Sequence, residues 1–472
     1  MKKRILVSIF LMIGILFVSG FGCKKTTPKQ YSINLEIWGL FDSADAYADI
    51  FATYKDINPN IGEIIYRKMN QETYQQDLIK AMAAGQGPDI FMVNNKWALS
   101  FKDNIYPAPA EILGEQKFRK DFVDVVASDF FMEGFVYAVP LSVDSLALYY
   151  NKDIFNAAGI TSPPTTWDEF VEDARGMTKI DANGQIIQSG AAMGTASNVN
   201  RAVVILNLLM FQNKIEMINE NIGMVGFNQR TSNDGQIFSP GENALSFYTQ
   251  FANQNSSTIP YTWNSRMHYS IDSFSEGVLG MMLNYSWQID SLALKSPKLN
   301  YAIAPVPQFP DGKYNVADYW GYAVAKNRTP SVPQNDPSSV ARVTNDIRAK
   351  EAWKFLTFMT TKTEQAVVAT KNVAGNTQVI NVDFDAAASY LEKTRRPAAR
   401  RDLIEKQKAD PMLGVFAEGN LVAKGWRQVD PDAIGSLFAQ MIEKVNKGES
   451  SVRDAIEFAA TNINLLMEKN RE

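Results

Sequence analysis

The chain has 472 residues, with 47 Lys and Arg against 51 Asp and Glu, and it contains one cysteine and one histidine. Its length exceeds what a single core usually organises and indicates two or more domains. The composition excludes an internal disulfide, cysteine-based metal sites and poly-histidine sites, and it leaves His268 as the only base for a Ser-His-Asp triad.

The N-terminus has the pattern of a secretory signal. Residues 1–4 carry positive charge, residues 5–18 are uncharged, and small residues precede Cys23. Because a membrane-spanning helix needs about 20 apolar residues, we predict a signal peptide over residues 1–23, with a short anchor helix as the alternative. Its removal leaves 44 basic residues against 51 acidic ones, a charge of about −7 that argues against nucleic acid as a partner.

Strands and helices alternate in the next part of the chain. Residues 24–30 are polar and predict a tether. Strands are predicted at 33–38, 61–66 and 89–93, separated by segments whose apolar residues follow the helical period. This order implies a parallel sheet covered by helices, with ligands beyond the carboxyl ends of its strands.

The middle of the chain repeats this pattern, and the C-terminal third is mainly helical. A strand is predicted at 146–150, followed by a helix from Trp167. Residues 200–211 are apolar around most of the circumference and predict a buried helix. Apolar residues between 434 and 445 recur at helical spacing, so a further amphipathic helix is expected there.

Five motifs follow one another over most of the chain: Leu35-Glu36-Ile37-Trp38, Gly87-Pro88-Asp89-Ile90, Leu148 to Asp153, Pro164 to Phe170, and Phe274 to Trp287. In this order they resemble the family 1 extracellular solute-binding proteins, the maltose-binding-protein-like components of ABC sugar transporters. The resemblance implies an α/β two-lobe periplasmic-binding-protein clamshell, in which each lobe is a mainly parallel sheet covered by helices. A hinge joins the lobes and closes them on a solute.

The resemblance also implies a domain division and a set of partners. The N-terminal lobe is predicted to comprise residues 31–142 and 326–375, and the C-terminal lobe residues 143–325 and 376–472. The expected activity is capture of a carbohydrate and its delivery to the ABC permease transmembrane subunits, by a monomer without enzymatic activity, cofactor or metal. Cys23 resembles the acylated cysteine of a lipoprotein, which would hold the protein at the outer face of the cytoplasmic membrane.

Two residues match the positions of sugar contacts in the family. Asp144 is placed as an acidic ligand near the hinge, where its carboxylate can accept hydrogen bonds from sugar hydroxyls. Trp287 is placed as the ring that stacks on the sugar. The alternatives are a turn aspartate and a core tryptophan.

Further candidates come from loops near the predicted cleft. Asn95 and Lys96 stand where maltose-binding protein carries an acidic and a basic residue, so the sugar is not expected to be maltose. Asp42 could instead cap a helix, Asn198 and Asn200 could cap or bind, and Trp426 could equally serve packing. The remaining candidates are Trp97, Asn284, Tyr285, Trp320 and Gly321.

Two other function classes stay open on the sequence. An exported hydrolase acting on polysaccharides would need two carboxylates about 5 to 10 Å apart, and no motif indicates such a pair. A sensory or adhesion protein could use the same clamshell for a solute that is not a sugar. A response to a receptor rather than to a permease would distinguish this class.

Overall fold

The computed structural model describes residues 31–219, 223–233, 236–310, 312–362, 367–373 and 376–470. The predicted signal peptide, the tether and Cys23 lie outside these residues. Among the described helices, none has both the length and the apolar character needed to cross a bilayer.

Two sheets organise the molecule. Their strands are β1 (Ile33–Gly39), β2 (Ile61–Lys68), β3 (Ile90–Asn94), β4 (Ala147–Asn151), β5 (Lys179–Ile180), β6 (Ile186–Ala191), β7 (Leu279–Asn284), β8 (Tyr301–Ala304) and β9 (Trp320–Val324). The first sheet has the order β9-β3-β1-β2 and the second the order β8-β4-β7-β6-β5. Helices cover both sheets, which confirms the predicted α/β class.

The first sheet is mainly parallel, as predicted. β1 pairs in parallel with β2 and β3, and only β9 runs antiparallel. Alternate side chains of β1, at Ile33, Leu35 and Ile37, are buried, as the twofold strand period requires. The strands predicted at 33–38, 61–66 and 89–93 are therefore confirmed.

The second sheet is mixed, so the prediction of a mainly parallel sheet is wrong for this half. β4 runs antiparallel to β7 and β8, and only β7 and β6 pair in parallel. The reason is the direction in which β4 enters. Here the first unit is the first sheet with its helices, and the second unit is the second sheet with its helices. β4 follows the segment that passes from the first unit to the second, and it runs away from the junction between them. β7 returns toward this junction and ends at Asn284, opposite Ala147.

A third, small sheet joins the two units. It contains Ala423–Lys424, Asn315–Asp318 and Asp144–Ser145, in that order. Each strand belongs to a different passage of the chain between the units. The arrangement provides the connecting segment that the clamshell prediction requires.

Two segments lie elsewhere than in the predicted division of the chain. β9 belongs to the first sheet, and Ala386–Thr394 packs into the first core, although both fall within the ranges predicted for the C-terminal lobe. The hairpin of Val367–Val373 and Asn376–Val382 spans the predicted boundary at 375/376. The chain crosses back before Trp320, which motif order alone cannot reveal.

Helices fill the space around the sheets, and shorter strands form local hairpins. The helices are Ala48–Ile57, Tyr74–Ala83, Ala98–Phe101, Glu115–Asp121, Asp124–Phe130, Lys152–Ala157, Trp167–Met177, Ala202–Gln212, Pro240–Gln250, Ser270–Ser275, Gln288–Lys295, Asn345–Thr360, Ala386–Thr394, Arg401–Gln407, Leu413–Asn420, Pro431–Asn446 and Val452–Lys469. The hairpins pair Phe131–Met132 with Phe135–Val136, Ile218–Asn219 with Met224–Val225, and Thr231–Asn233 with Gln236–Phe238. The buried helix predicted at 200–211 is confirmed by Ala202–Gln212.

Candidate functional site

A cavity of about 460 Å³ lies between the two units, beside the connecting sheet. Its walls come from the carboxyl ends of β1 and β3, from the passage that contains Asp144 and from the turn after β7. Its lining residues are Phe41, Asp42, Gln71, Met92, Asn94, Leu141, Ser142, Asp144, Arg201, Trp287, Asp318, Tyr319, Trp320, Tyr322, Tyr390, Arg396 and Pro397. The position at strand carboxyl ends is the one expected for ligands of open α/β sheets.

Asp144 is buried at the floor of this cavity and is held by three hydrogen bonds. Its Oδ1 accepts from the Ser145 amide at 2.9 Å, and its Oδ2 accepts from the amide and the hydroxyl of Ser286. Burial raises the pKa of Asp144 to about 7, although the Ser286 bonds act in the opposite direction. The carboxyl is thus fixed in orientation, and its charge changes with pH near pH 7.

The raised pKa of Asp144 predicts a loss of stability with rising pH. Its unfolded pKa is about 3.9, so between about pH 4 and pH 7 the folded protein binds more protons than the unfolded chain. The free energy of unfolding therefore falls as pH rises through this window. In Asp144→Ala the decrease between pH 5 and pH 8, measured by urea denaturation, is expected to be smaller than in the wild type. An equal decrease in both proteins would contradict this assignment.

Two ion pairs hold the other acidic groups of the cavity. Asp42 accepts a hydrogen bond from the Tyr390 hydroxyl at 2.7 Å and lies 3.6 Å from the Arg396 guanidinium. Asp318 accepts from Lys96 Nζ at 2.9 Å. Burial favours a higher pKa for Asp318, but Lys96 outweighs it and the pKa lies below its usual value. Asp318 is consequently ionised, and both carboxylates have a cationic partner.

Aromatic rings form the apolar part of the wall. The indole of Trp287 stacks on Tyr285 with ring centroids 4.6 Å apart. Trp320 contacts the edges of Phe41 and Trp97, with centroids 5.8 and 4.9 Å apart. Because Tyr285 is fully buried, it supports one side of Trp287 from below while the indole stays partly exposed at the cavity.

The structure brings four of the predicted site residues together in the cavity wall: Asp42, Asp144, Trp287 and Trp320. Other predicted residues make neighbouring contacts outside the lining. Lys96 bonds Asp318, and Trp97 packs against Phe101 and Trp320. Gly321 lies in β9, where a Cβ would come within 2.7 Å of the Phe130 ring.

The predicted asparagines have structural partners. Asn95 is fully buried and donates to Asp129 Oδ2 at 2.9 Å. Asn198 donates to two backbone carbonyls, those of Asn264 and Met267. The remaining pair, Asn200 and Asn284, bond each other at 3.1 Å.

Trp426 lines a different cavity. This second cavity has a volume of about 900 Å³ and also touches Asp129, Tyr314 and Lys424. Lys424 belongs to one edge strand of the connecting sheet, and Asp144 belongs to the opposite edge strand. Trp426 is therefore separated from the cavity that contains Asp144 and Trp287.

Sequence reasoning missed two arginines in the wall, namely Arg201 and Arg396. Arg201 carries a usable signal, since it is the only charged residue between Asp181 and Lys214. Arg396 comes from a segment with no recognised motif. Its contribution depends on the packing of Ala386–Thr394 against the first unit.

This wall is suited to a polar, hydroxyl-rich molecule with apolar faces. Carboxylates and guanidinium groups can accept from and donate to hydroxyls, and indole rings can cover C–H surfaces. Across the described ranges, no group of three or more His, Cys, Asp or Glu side chains is placed to hold a metal ion. The arrangement supports recognition of a solute through hydrogen bonds and ring contacts.

Comparison with known proteins also indicates a solute-binding protein. A family model described as bacterial extracellular solute-binding protein matches residues 42–366. A protein of Brucella abortus (strain 2308) named as a binding protein is 24% identical over 317 residues, which cover 66% of this chain and 68% of that protein. The maltotriose-binding protein of Pyrococcus abyssi is 25% identical over 314 residues, which cover 66% of this chain and 58% of that protein.

Solved structures show the same fold. The cyclic α-maltosyl-1,6-maltose binding protein from Arthrobacter globiformis matches with a TM-score of 0.69 at 18% identity, covering 93% of this chain and 100% of that chain. The sugar-binding protein MalE from Xanthomonas citri matches with a TM-score of 0.69 at 16% identity, covering 93% of this chain and 98% of that chain. Since the family model spans more than half of the sequence, the chain belongs to the bacterial extracellular solute-binding protein family and is a solute-binding protein rather than an enzyme.

Proposed function

We propose that the protein captures a carbohydrate in the cavity between its two units and delivers it to the permease of an ABC importer. The observation that carries this proposal is the joint presence of Trp287 and Asp144 in one cavity wall. A sugar presents C–H faces that suit the indole and hydroxyls that suit the carboxyl. The likeness to the maltotriose-binding protein of Pyrococcus abyssi supports the same substrate class.

The size and the position of the cavity support a binding site whose two units close on the ligand. A volume of about 460 Å³ lies within the usual range for small-molecule sites. Its wall joins Asp42 and Trp320 from the first unit to Arg201 and Trp287 from the second. A ligand that contacts both units favours the closed arrangement, since it binds that state more tightly.

Ligand-induced stabilisation tests this function directly. A saccharide that bridges the units should stabilise the folded protein by about 2.7 kcal/mol at a hundredfold excess over its dissociation constant. The measurement is a thermal-shift screen over mono- and oligosaccharides, polyols, peptides and polyamines. A shift with peptides or polyamines and none with any saccharide would overturn the carbohydrate assignment.

Attachment to the membrane through Cys23 is part of the same proposal. A cysteine directly after a secretory signal supports acylation, and the acyl group would keep the protein near its permease. Cells that express the wild type should retain the protein in the membrane fraction, and those that express Cys23→Ala should release it. Equal release of both proteins would remove the anchor from the proposal.

A further inference from the structure

Arg201 occupies an unusual place in the cavity wall. It directly precedes the buried helix Ala202–Gln212, and its backbone lies in the left-handed region with φ of 68°. Residues other than glycine rarely adopt this conformation. The backbone at this position directs a long cationic side chain toward the cavity beside Trp287.

The guanidinium makes cation–π contacts with both stacked rings. Its Cζ is 5.2 Å from the Trp287 centroid and 5.5 Å from the Tyr285 centroid. These centroids are 4.6 Å apart, so the three centres form a roughly equilateral triangle. A sandwich with Arg201 on the outer face of Trp287 would place Tyr285 much farther away. Arg201 therefore does not cover the indole face opposite Tyr285.

The Nε of Arg201 is buried and has no hydrogen-bond partner within the part of the chain that the structure describes. The acidic groups of the cavity are already engaged. Asp42 pairs with Arg396, and Asp318 accepts a hydrogen bond from Lys96. The positive charge of Arg201 also lowers the pKa of Asp318. Asp144 takes its hydrogen bonds from Ser145 and Ser286, and its pKa of about 7 leaves part of the population neutral at pH 7.

A guanidinium offers only donors, arranged in a planar fork that matches a carboxylate. Closure around a neutral sugar would bury the Arg201 charge beside an Asp318 that Lys96 already bonds, which is costly. An anionic ligand supplies that counter-ion and two acceptors at once. A ligand carboxylate would therefore satisfy the buried Nε and add a second counter-ion for Arg201.

We propose that the cavity selects an acidic saccharide, and that Arg201 binds its carboxylate while Trp287 covers an adjacent sugar face. This inference rests on the proposed carbohydrate-binding function and narrows its substrate class. A carboxylate carries one negative charge and matches the single charge of Arg201. A phosphate monoester carries about −1.5 to −2 at pH 7 and would leave excess negative charge beside Asp318.

The test compares pairs of sugars that differ only in whether C6 of each residue is a carboxylate or a hydroxymethyl group. Galacturonate and galactose, glucuronate and glucose, and digalacturonate and galactobiose are titrated by calorimetry into the full-length mature protein at pH 7, with glucose 6-phosphate as the phosphate probe. At least one acidic member is expected to bind tenfold or more tightly than its neutral partner. Arg201→Gln is expected to reduce that preference to about twofold, and Arg201→Lys is expected to retain part of it.

Controls separate this proposal from the broader function. Arg266→Gln makes the same change at an exposed arginine outside the cavity and should leave the preference unchanged. Equal or tighter binding of the neutral members would overturn the acidic assignment and leave carbohydrate capture intact. Tighter binding of glucose 6-phosphate than of every acidic sugar would overturn the proposal that Arg201 binds a carboxylate. Absence of binding to every saccharide would overturn both the inference and the proposed function.

Discussion

Replacement of Trp287 by alanine is expected to weaken solute binding by about 30-fold, equivalent to about 2 kcal/mol, without unfolding the protein. The indole is partly exposed in the cavity and rests on Tyr285, so it is positioned before the ligand arrives. Its removal deletes a preorganised apolar surface but leaves the buried Tyr285 in place. Calorimetric titration with the tightest saccharide of the screen measures the loss, and urea denaturation checks the fold.

Trp426→Ala is the matched control for this experiment. Trp426 is also a partly buried tryptophan in the second unit, but it lines the other cavity. Its removal should leave the dissociation constant within about twofold of the wild type. An equal loss in both variants would show that the cavity around Asp144 is not the ligand site. Collapse of the fold in Trp287→Ala alone would make Trp287 a core residue.

The first sheet could be predicted from the sequence because the apolar pattern of each strand matches its burial. β1 alternates buried and partly buried residues, and β3 is a short, fully buried run between turn residues. The second sheet was harder to predict, since its strand directions follow from where the chain enters after each crossing. β4 begins at the junction between the units and β7 ends there. Hydrophobic periodicity does not predict either strand direction.

Asp144 and Trp287 were predicted from their positions in the motifs, and both line the cavity. The loop after β3 was predicted less well, because it presents Asn94 to the cavity and Asn95 to Asp129. Successive residues of an extended segment point to opposite sides, so an error of one position moves a side chain out of the site. Arg201 was missed because its direction depends on a left-handed backbone that no motif indicates.

Replacement of Asp89 by alanine is expected to destabilise the fold by about 3–5 kcal/mol. Asp89 is fully buried, and its Oδ2 accepts from the Glu36 amide at 2.8 Å. It lies 3.2 Å from Arg328 Nη1 and 3.4 Å from the fully buried Arg348 Nη1. The variant leaves both guanidinium groups without this counter-ion in a dry environment. Urea denaturation at pH 7 measures the change in the free energy of unfolding.

Glu133→Ala provides the control, because Glu133 forms an exposed ion pair with Lys102. Exposed pairs contribute little, so a change within about 1 kcal/mol is expected. Asp89 lies outside the cavity lining, so a stability loss with unchanged affinity would make the Gly87-Pro88-Asp89 motif a determinant of folding. The reverse result, reduced affinity at unchanged stability, would assign Asp89 to recognition. The buried Arg348 favours the first result, since its charge must be balanced whether or not a solute is bound.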